Sequence, residues 1–190
     1  MKNYKALRAI LFVSIISFSF IQNGKKELKE WNIQSKLLWQ DFKGKPNNNS
    51  GRAAISDCGI SCQMIGEKDT LRFVVKSYFN LTDSWVKKDD ENDFLLKHEQ
   101  GHFDINEIFA RKIRKAIKEA KLNKVNANSD FRSLQVKYFT LLNEEQILYD
   151  NETKHSVNKI KQLEWDEKIK GQLNELESYY SNIVLVPYFK

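Results

Sequence analysis

Two histidines and one glutamate are spaced in a way that suits metal-assisted hydrolysis. Residues 98–102 read HEQGH, which is the H-E-x-x-H pattern. Four residues advance an α-helix by about 400°, so His98 and His102 project from one helix face and can bind one zinc ion. Glu99 lies about 100° round from His98, where it can take a proton from a water molecule. Because the chain contains only 3 histidines among 190 residues, the pattern is informative.

The surrounding residues predict a helix that carries this pattern. From Phe94 to Ala120 there is no proline and the only glycine is Gly101, while apolar residues recur at helical spacing. His98 and His102 lie on the apolar stripe and are therefore expected to face the interior. The opposite face is rich in lysine and arginine, and we expect it to be solvated. The alternative is that the histidines and Glu99 serve packing or solubility alone.

A catalytic zinc site needs a third protein ligand. Asp104 and Glu107 point about 180–200° away from the two histidines on an ideal helix, so neither is a suitable ligand. The longer pattern H-E-x-x-H-x-x-G-x-x-H is absent. The last histidine of the chain, His155, lies in a second helical stretch and is the expected third ligand. Asp150 and Glu152 are the alternatives.

Three stretches of the sequence resemble one bacterial family. The central stretch Leu95–Ile105 is similar to the signature of the predicted secreted zinc-dependent proteases, a domain otherwise described as of unknown function. Trp39–Pro46 and the stretch from Tyr149 through His155 to Trp165 agree with it. The resemblance spans roughly residues 31–176. It implies a secreted or periplasmic zinc metallopeptidase, and says little about the substrate.

The N-terminus has the features of an export signal. Lys2, Lys5 and Arg8 precede an apolar run, Ala9–Ile21, of thirteen residues. This length suits a signal-peptide core and is shorter than the roughly twenty residues of a membrane span. Residues 1–22 are therefore predicted to be a signal peptide or a membrane anchor. The remaining residues, 23–190, are predicted to form a single zinc metallopeptidase-like domain outside the cytoplasm.

The net charge does not favour a nucleic-acid partner. The full chain carries a formal charge of +6, which falls to +3 without the three basic residues of the N-terminal segment. The basic character is thus partly a targeting signal, and nucleic-acid binding loses its main support. Membrane association is expected only if the N-terminal segment is not cleaved.

The order of the predicted elements indicates an α+β fold. Strand-like patterns are followed by helical ones, which predicts a short N-terminal antiparallel sheet and then three long helices, as in zincin-like domains. The predicted strands are Ala53–Ile65 and Leu71–Leu81, the predicted helices are Asn92–Leu122, Ser129–Asp150 and about Thr153–Tyr179, and Ile183–Tyr188 suits a short strand or an apolar tail.

Two cysteines lie close together in one of the predicted strands. Cys58 and Cys62 would share a strand face about 13 Å apart, which is too far for a disulfide. A turn at Gly59 would allow a bridge, and an oxidising compartment would permit it. With no histidine left to complete a second zinc site, we expect buried thiols or a local disulfide.

These features predict a secreted zinc-dependent peptidase acting on a peptide or protein substrate. His98, His102 and His155 are expected to hold Zn²⁺, and Glu99 is expected to activate water and then protonate the leaving amine. Tyr149 is a candidate for stabilising the oxyanion. By analogy with other zinc peptidases, the strand Leu71–Leu81 could be the edge on which an extended peptide docks.

Two other function classes remain open. A zinc amidase or deacylase acting on cell-wall material would use the same metal chemistry. A non-catalytic module stabilised by zinc would use the metal to join two helices. Glu99 argues against the module, because a structural zinc site has no need of a general base and is usually closed by four ligands.

Overall fold

The described part of the protein forms one antiparallel sheet, a small strand pair and three long helices. The computed structural model describes residues 26–34, 36–123 and 125–188. Their elements, in chain order, are β1 Leu28–Glu30, β2 Ala54–Ile55, β3 Cys58–Gly66, β4 Thr70–Asn80, β5 Trp85–Val86, α1 Asp93–Glu119, α2 Ala127–Thr153, α3 Lys159–Glu175 and β6 Ile183–Pro187. The α+β class expected from the sequence is confirmed.

Strand β4 is the central strand of the main sheet. It pairs with β3 along one side and with both β1 and β6 along the other, always antiparallel. The expectation that Leu71–Leu81 forms a free edge is therefore wrong, because β4 has partners on both sides. The C-terminal segment also joins the sheet, so the sheet is not formed by the N-terminal half alone.

The predicted strand Ala53–Ile65 is divided into two strands. Its first part is β2, which pairs with β5 in a separate two-stranded sheet. Its second part is β3, which pairs with β4. Asp57 lies at the change of partner, where its backbone N–H donates to the Ser84 hydroxyl at 2.9 Å. This division brings the segment around β2 beside helix α1, where a continuous strand would have carried it along the main sheet.

Alternating residues of β4 build one side of the core. Its buried positions are every second residue, Leu71, Phe73, Val75, Ser77 and Phe79, as expected for a strand with one covered face. They pack on α1 and α2. The rings of Phe73 and Phe131 meet edge to face, with their centroids 4.9 Å apart. A further apolar cluster joins the three helices on the other side of α1.

Helix α1 lies between the main sheet on one side and helices α2 and α3 on the opposite side. It begins at the cap residue Asn92, whose side-chain oxygen accepts from the Leu95 backbone N–H at 2.9 Å. The expectation of a solvated basic face is wrong in its central turns, because Glu107, Arg111 and Arg114 are all buried. A helix covered on several sides must bury part of its polar face.

Three consecutive left-handed residues separate α2 from α3. Lys154, His155 and Ser156 have φ angles of 49°, 50° and 76°, a conformation that L-residues rarely adopt. Helix α2 therefore ends at Thr153 and α3 begins only at Lys159, later than the sequence pattern predicted. The turn holds His155 at the end of α2, beside the residues that the helix carries in its last turn.

The predicted signal peptide or membrane anchor, residues 1–22, lies outside the described residues. Within the described ranges, none of the helices has the length and apolar character needed to cross a membrane.

Candidate metal centre

Three side chains from two helices converge at one point. His98 and His102 of α1 and Asp150 of α2 each bring one ligand atom within 4.8 Å of the others. Oδ1 of Asp150 lies 3.3 Å from Nε2 of His98 and 3.0 Å from Nε2 of His102. The His98 side chain is 2 % exposed, and Asp150 is 14 % exposed. This largely buried group could hold a metal ion.

The contacts between Asp150 and the histidines shift the pKa values of Asp150 and His102. Burial by itself lowers the pKa of His102, but the hydrogen bond to Asp150 and the negative charge of Glu99 outweigh it and leave the pKa raised. Burial would raise the pKa of Asp150, yet hydrogen bonds from His102 and His98 hold it well below its usual range. The carboxylate thus stays charged, and it faces positive charge from Arg52 on one side and from the imidazoles or a metal ion on the other.

Asp150 occupies the position that the sequence interpretation gave to His155. His155 lies outside the compact group; its Nδ1 is 3.1 Å from the same Asp150 oxygen, and its side chain is 51 % exposed. The other oxygen of Asp150 accepts from Arg52 at 3.1 Å. Glu152, the second alternative, accepts from the indole of Trp165 at 2.8 Å instead. The structure therefore selects Asp150 from the candidates for the third ligand.

Glu99 lies beside the ligand group, and its carboxylate faces the cavity without a bonded partner in the described part of the chain. It is 4 % exposed and lines the same cavity as His98, His102 and Asp150. No hydrogen bond or ion pair to its carboxylate is formed by the residues that the structure describes. A buried carboxylate without a fixed partner can accept a proton from a water molecule in the cavity.

The cavity at the ligand group is small and has the β2 segment as one wall. Its volume is about 220 Å³, and Arg52, Ala54 and Ser56 line it together with the metal-facing residues. A larger cavity of about 750 Å³ lies between α1, α3 and the segment around Leu37. That larger cavity is lined by neither histidine of the motif nor by Glu99, so the candidate metal ligands face the smaller one.

Tyr149 supports the site and is not free to stabilise an oxyanion. Its hydroxyl donates to the backbone carbonyl of His98 at 3.0 Å, and its ring stacks on the His98 imidazole with centroids 4.6 Å apart. Burial raises the pKa of this phenol, so it remains protonated. A Cβ atom at Gly101 would lie 2.2 Å from the Tyr149 hydroxyl. The glycine of the HEQGH pattern therefore makes room for this tyrosine.

The remaining candidates behave as the sequence predicted or close to it. Asp104 accepts from the indole of Trp31 at 2.7 Å and Glu107 pairs with Arg111, so both point away from the metal, as expected. Cys58 and Cys62 are free, half-buried thiols in β3, and no disulfide joins them. Burial raises the pKa of Cys58, and it raises that of Cys62 to about 11.

Sequence reasoning missed several residues of the site. Arg52 comes from a loop, and nothing in the sequence indicates that this loop reaches α2. Gln146 and Gln162 contact the two metal-facing histidines from α2 and α3. Gln146 stands four residues before Asp150, so the two lie on one face of α2, and this spacing was a usable signal. Gln162 lies on a separate helix and gave no such signal.

Comparison of the chain with protein-family models, with curated proteins and with solved structures finds no match. Any functional assignment therefore depends on the chemistry and geometry of the site itself.

Proposed function

We propose that the protein is a secreted zinc-dependent peptidase. The observation that carries the proposal is the convergence of His98, His102 and Asp150 in a cavity that also contains Glu99. Two imidazoles and one carboxylate, with a carboxylate base beside them, are the parts required for metal-assisted hydrolysis of a peptide bond. The resemblance of the central stretch to the predicted secreted zinc-dependent proteases agrees with this proposal.

The donor set fits zinc. Nitrogen and oxygen ligands suit this ion, and catalytic sites keep three protein ligands and leave one position open. Asp150 stays ionised and so supplies an anionic oxygen ligand beside the two imidazoles. When bound, zinc would act as a Lewis acid that polarises the scissile carbonyl and makes water more acidic.

Glu99 acts as the general base and then as the general acid. Its carboxylate takes one proton from the attacking water, whose oxygen forms a bond to the carbonyl carbon. Glu99 then gives this proton to the amide nitrogen as the C–N bond breaks, which releases a carboxylic acid, still carrying the second hydrogen of the water, and an amine. Because Glu99 has no competing partner among the described residues, its carboxylate is available for both transfers.

The substrate docks along the free edge of β2. In the pairing of β2 with β5, Ala53 and Ile55 direct their backbone groups towards β5. The backbone groups of Ala54 and Ser56 consequently point to the other side. No strand of the described chain pairs with that side, and both residues line the metal cavity. The buried Ser56 hydroxyl has no hydrogen-bond partner among the described residues, so it can bond to a peptide.

The substrate is an extended peptide or protein outside the cytoplasm. The basic and apolar N-terminal segment supports export, and an unpaired strand edge beside the metal suits main-chain recognition of a peptide. A peptide bond in cell-wall material offers the same chemistry, so an amidase is the second form that this hydrolase could take.

Replacement of Glu99 by Gln tests the proposal. The amide keeps the shape of the side chain but cannot accept a proton, so zinc should stay bound while hydrolysis of a mixed peptide library falls by about 10²–10⁴-fold. Both proteins should be loaded with equal zinc, and the library should include cell-wall peptides. Gln100→Glu, which changes the neighbouring residue on another helix face, is the control and should retain activity.

Equal turnover by wild type and Glu99→Gln would remove Glu99 from the mechanism. No turnover by wild type on any peptide would favour a zinc-stabilised binding module.

A further inference from the structure

Each metal-facing histidine has a glutamine behind it. The Nδ1 atom of His98 lies 2.9 Å from Oε1 of Gln162, and Nδ1 of His102 lies 2.6 Å from Oε1 of Gln146. The glutamines come from different helices, α3 and α2, and neither lies within the ligand group. Each histidine thus has its own glutamine oxygen at Nδ1, supplied by a different helix.

The orientation of the Gln162 amide is fixed by its other partners. Its nitrogen donates to Oδ1 of Asp166 at 2.9 Å and to the hydroxyl of Tyr149 at 2.7 Å. The carboxylate can only accept, and the tyrosine hydroxyl already donates its hydrogen to the His98 carbonyl. Both amide hydrogens are thus used, and the side chain is fully buried. Only the amide oxygen can face His98.

The Gln146 amide is fixed in the same way. Its nitrogen donates to the backbone carbonyl of His102 at 2.9 Å. A carbonyl oxygen can only accept, so the amide oxygen must be the atom that faces Nδ1 of the same residue. Gln146 therefore holds both the backbone and the ring of His102.

We propose that Gln146 and Gln162 are positioning residues that set the tautomer of the metal ligands. An amide oxygen can only accept a hydrogen bond, so Nδ1 of His98 and of His102 must each carry a hydrogen. The lone pair of each neutral ring then lies on Nε2, the nitrogen that faces Asp150. A ring with the opposite tautomer would present an N–H to the metal and could not bind it.

This inference deepens the proposed function, since it concerns the same metal site, but it does not depend on peptidase activity. Hydrogen-bond partners of this kind raise the metal affinity by keeping the ring in one orientation, and their loss weakens binding by about 10–100-fold. The two glutamines should thus contribute to affinity although neither contacts the ion.

Zinc affinity of variants gives the first test. Gln162→Leu and Gln146→Leu remove the acceptor while preserving the approximate side-chain volume. Competition against a chromophoric chelator should show zinc binding that is about 10–100-fold weaker than in wild type. Matched controls are Gln172→Leu on α3 and the buried Gln135→Leu on α2, which should bind zinc as wild type does. Affinities of both test variants equal to those of the controls would overturn the proposal.

Ring nitrogen spectroscopy gives the second test and needs no variant. In the zinc-loaded full protein labelled with ¹⁵N-histidine, His98 and His102 should each show a protonated Nδ1 and a metal-bound Nε2. A protonated Nε2 on either ring would overturn the proposal.

If the leucine variants do not fold, Gln146→Glu replaces them in the affinity test. This variant keeps an acceptor oxygen for Nδ1–H and should retain zinc affinity, whereas tenfold weaker binding would count against the proposal. Correct tautomers in a protein that hydrolyses no peptide would refute the peptidase assignment alone.

Discussion

Helix α1 carries two buried polar clusters that differ in how their charge is compensated. In its second half, the Glu107 carboxylate pairs with Arg111 at 2.9 Å and with Arg114 at 2.8 Å. Near its start, the nitrogens of His98 and His102 face an Asp150 oxygen. The arginine cluster brings its own cations and needs nothing else. The histidine cluster brings ligand atoms of three side chains towards one point that could hold a metal ion, and Arg52 pairs with the outer oxygen of Asp150.

The two clusters of α1 also differ in what they contact. Arg114 also donates to the Val75 carbonyl at 2.8 Å and to the Asn182 side chain at 2.6 Å, which ties α1 to the sheet and to the C-terminal segment. Each of these bonds ends on an atom of the chain. The histidine cluster instead opens on a cavity of about 220 Å³ with an unpaired carboxylate, Glu99, in its wall. Buried charge alone is therefore no sign of a candidate metal site, whereas convergent ligand atoms at a cavity are one.

The largest expected effect is the loss of zinc on removal of Asp150. Asp150→Ala deletes one of three ligands and should weaken zinc binding by orders of magnitude, because metal binding is linked to the folded arrangement of its ligands. His155→Ala should have a smaller effect, of about tenfold, since His155 contacts only the ligand Asp150. Glu152→Ala is the control and should bind zinc as wild type does. Zinc binding that survives Asp150→Ala and is lost in His155→Ala would return the third-ligand role to His155.

Removal of Arg114 should break the self-compensated cluster without affecting the metal. Arg114→Met leaves Glu107 with one partner and leaves the Val75 carbonyl unpaired, so the free energy of unfolding should fall by about 3–5 kcal/mol. Chemical denaturation measures this, with the partly exposed Lys115→Met as the control, which should change it by about 0.5 kcal/mol or less. Zinc affinity of the folded Arg114→Met protein should be unchanged. A large loss of affinity would show that the two clusters are coupled.

The glycine of the metal motif offers a sharper probe of how the site is packed. Gly101→Ala places a methyl group on the Tyr149 hydroxyl, and the overpacking should lower the free energy of unfolding by about 1–3 kcal/mol. Gly171→Ala on α3 meets no atom within 4 Å and should instead stabilise the protein by up to about 1 kcal/mol. Adding Tyr149→Phe to Gly101→Ala should recover part of the loss. Equal thermal stability of the two alanine variants would refute the packing role of Gly101.

The smallest effect is a pH dependence of the metal-free protein. The raised pKa of His102 gives stability that is present below its unfolded value of about 6.5 and is lost as the pH rises through the folded value. The lowered pKa of Asp150 gives stability that is present above about 3.9 and is lost as the pH falls through the folded value. The pair should therefore stabilise the metal-free protein most between about pH 4 and 6.5.

Unfolding at several pH values in the presence of a chelator measures this dependence. His102→Asn should flatten the fall above about pH 6.5, because the raised pKa is then absent. Zinc should reverse the trend, since protons compete with the metal for the same ligands. A wild-type profile identical to that of His102→Asn would show that the histidine cluster contributes no such dependence.

The sequence determined the class of the fold and which residues of one helix enter the candidate site. The HEQGH pattern on an uninterrupted helical stretch was sufficient to select His98, Glu99 and His102, because helical periodicity alone places their side chains relative to one another. The same periodicity excluded Asp104 and Glu107. The strand-then-helix order predicted the α+β class, whereas the spacing of Cys58 and Cys62 left a local disulfide open until the structure showed both thiols free.

Only the tertiary structure decided which residues from other elements meet this helix. Asp150 rather than His155 joins the ligand group, because the left-handed turn after α2 directs His155 outward. The arginines expected on a solvated face are buried, because α1 is covered by the sheet and by the other helices. The unpaired strand edge at the cavity belongs to β2, because β4 has partners on both sides. Local periodicity fixes angles within one element, whereas contacts between elements depend on how turns and packing bring distant segments together.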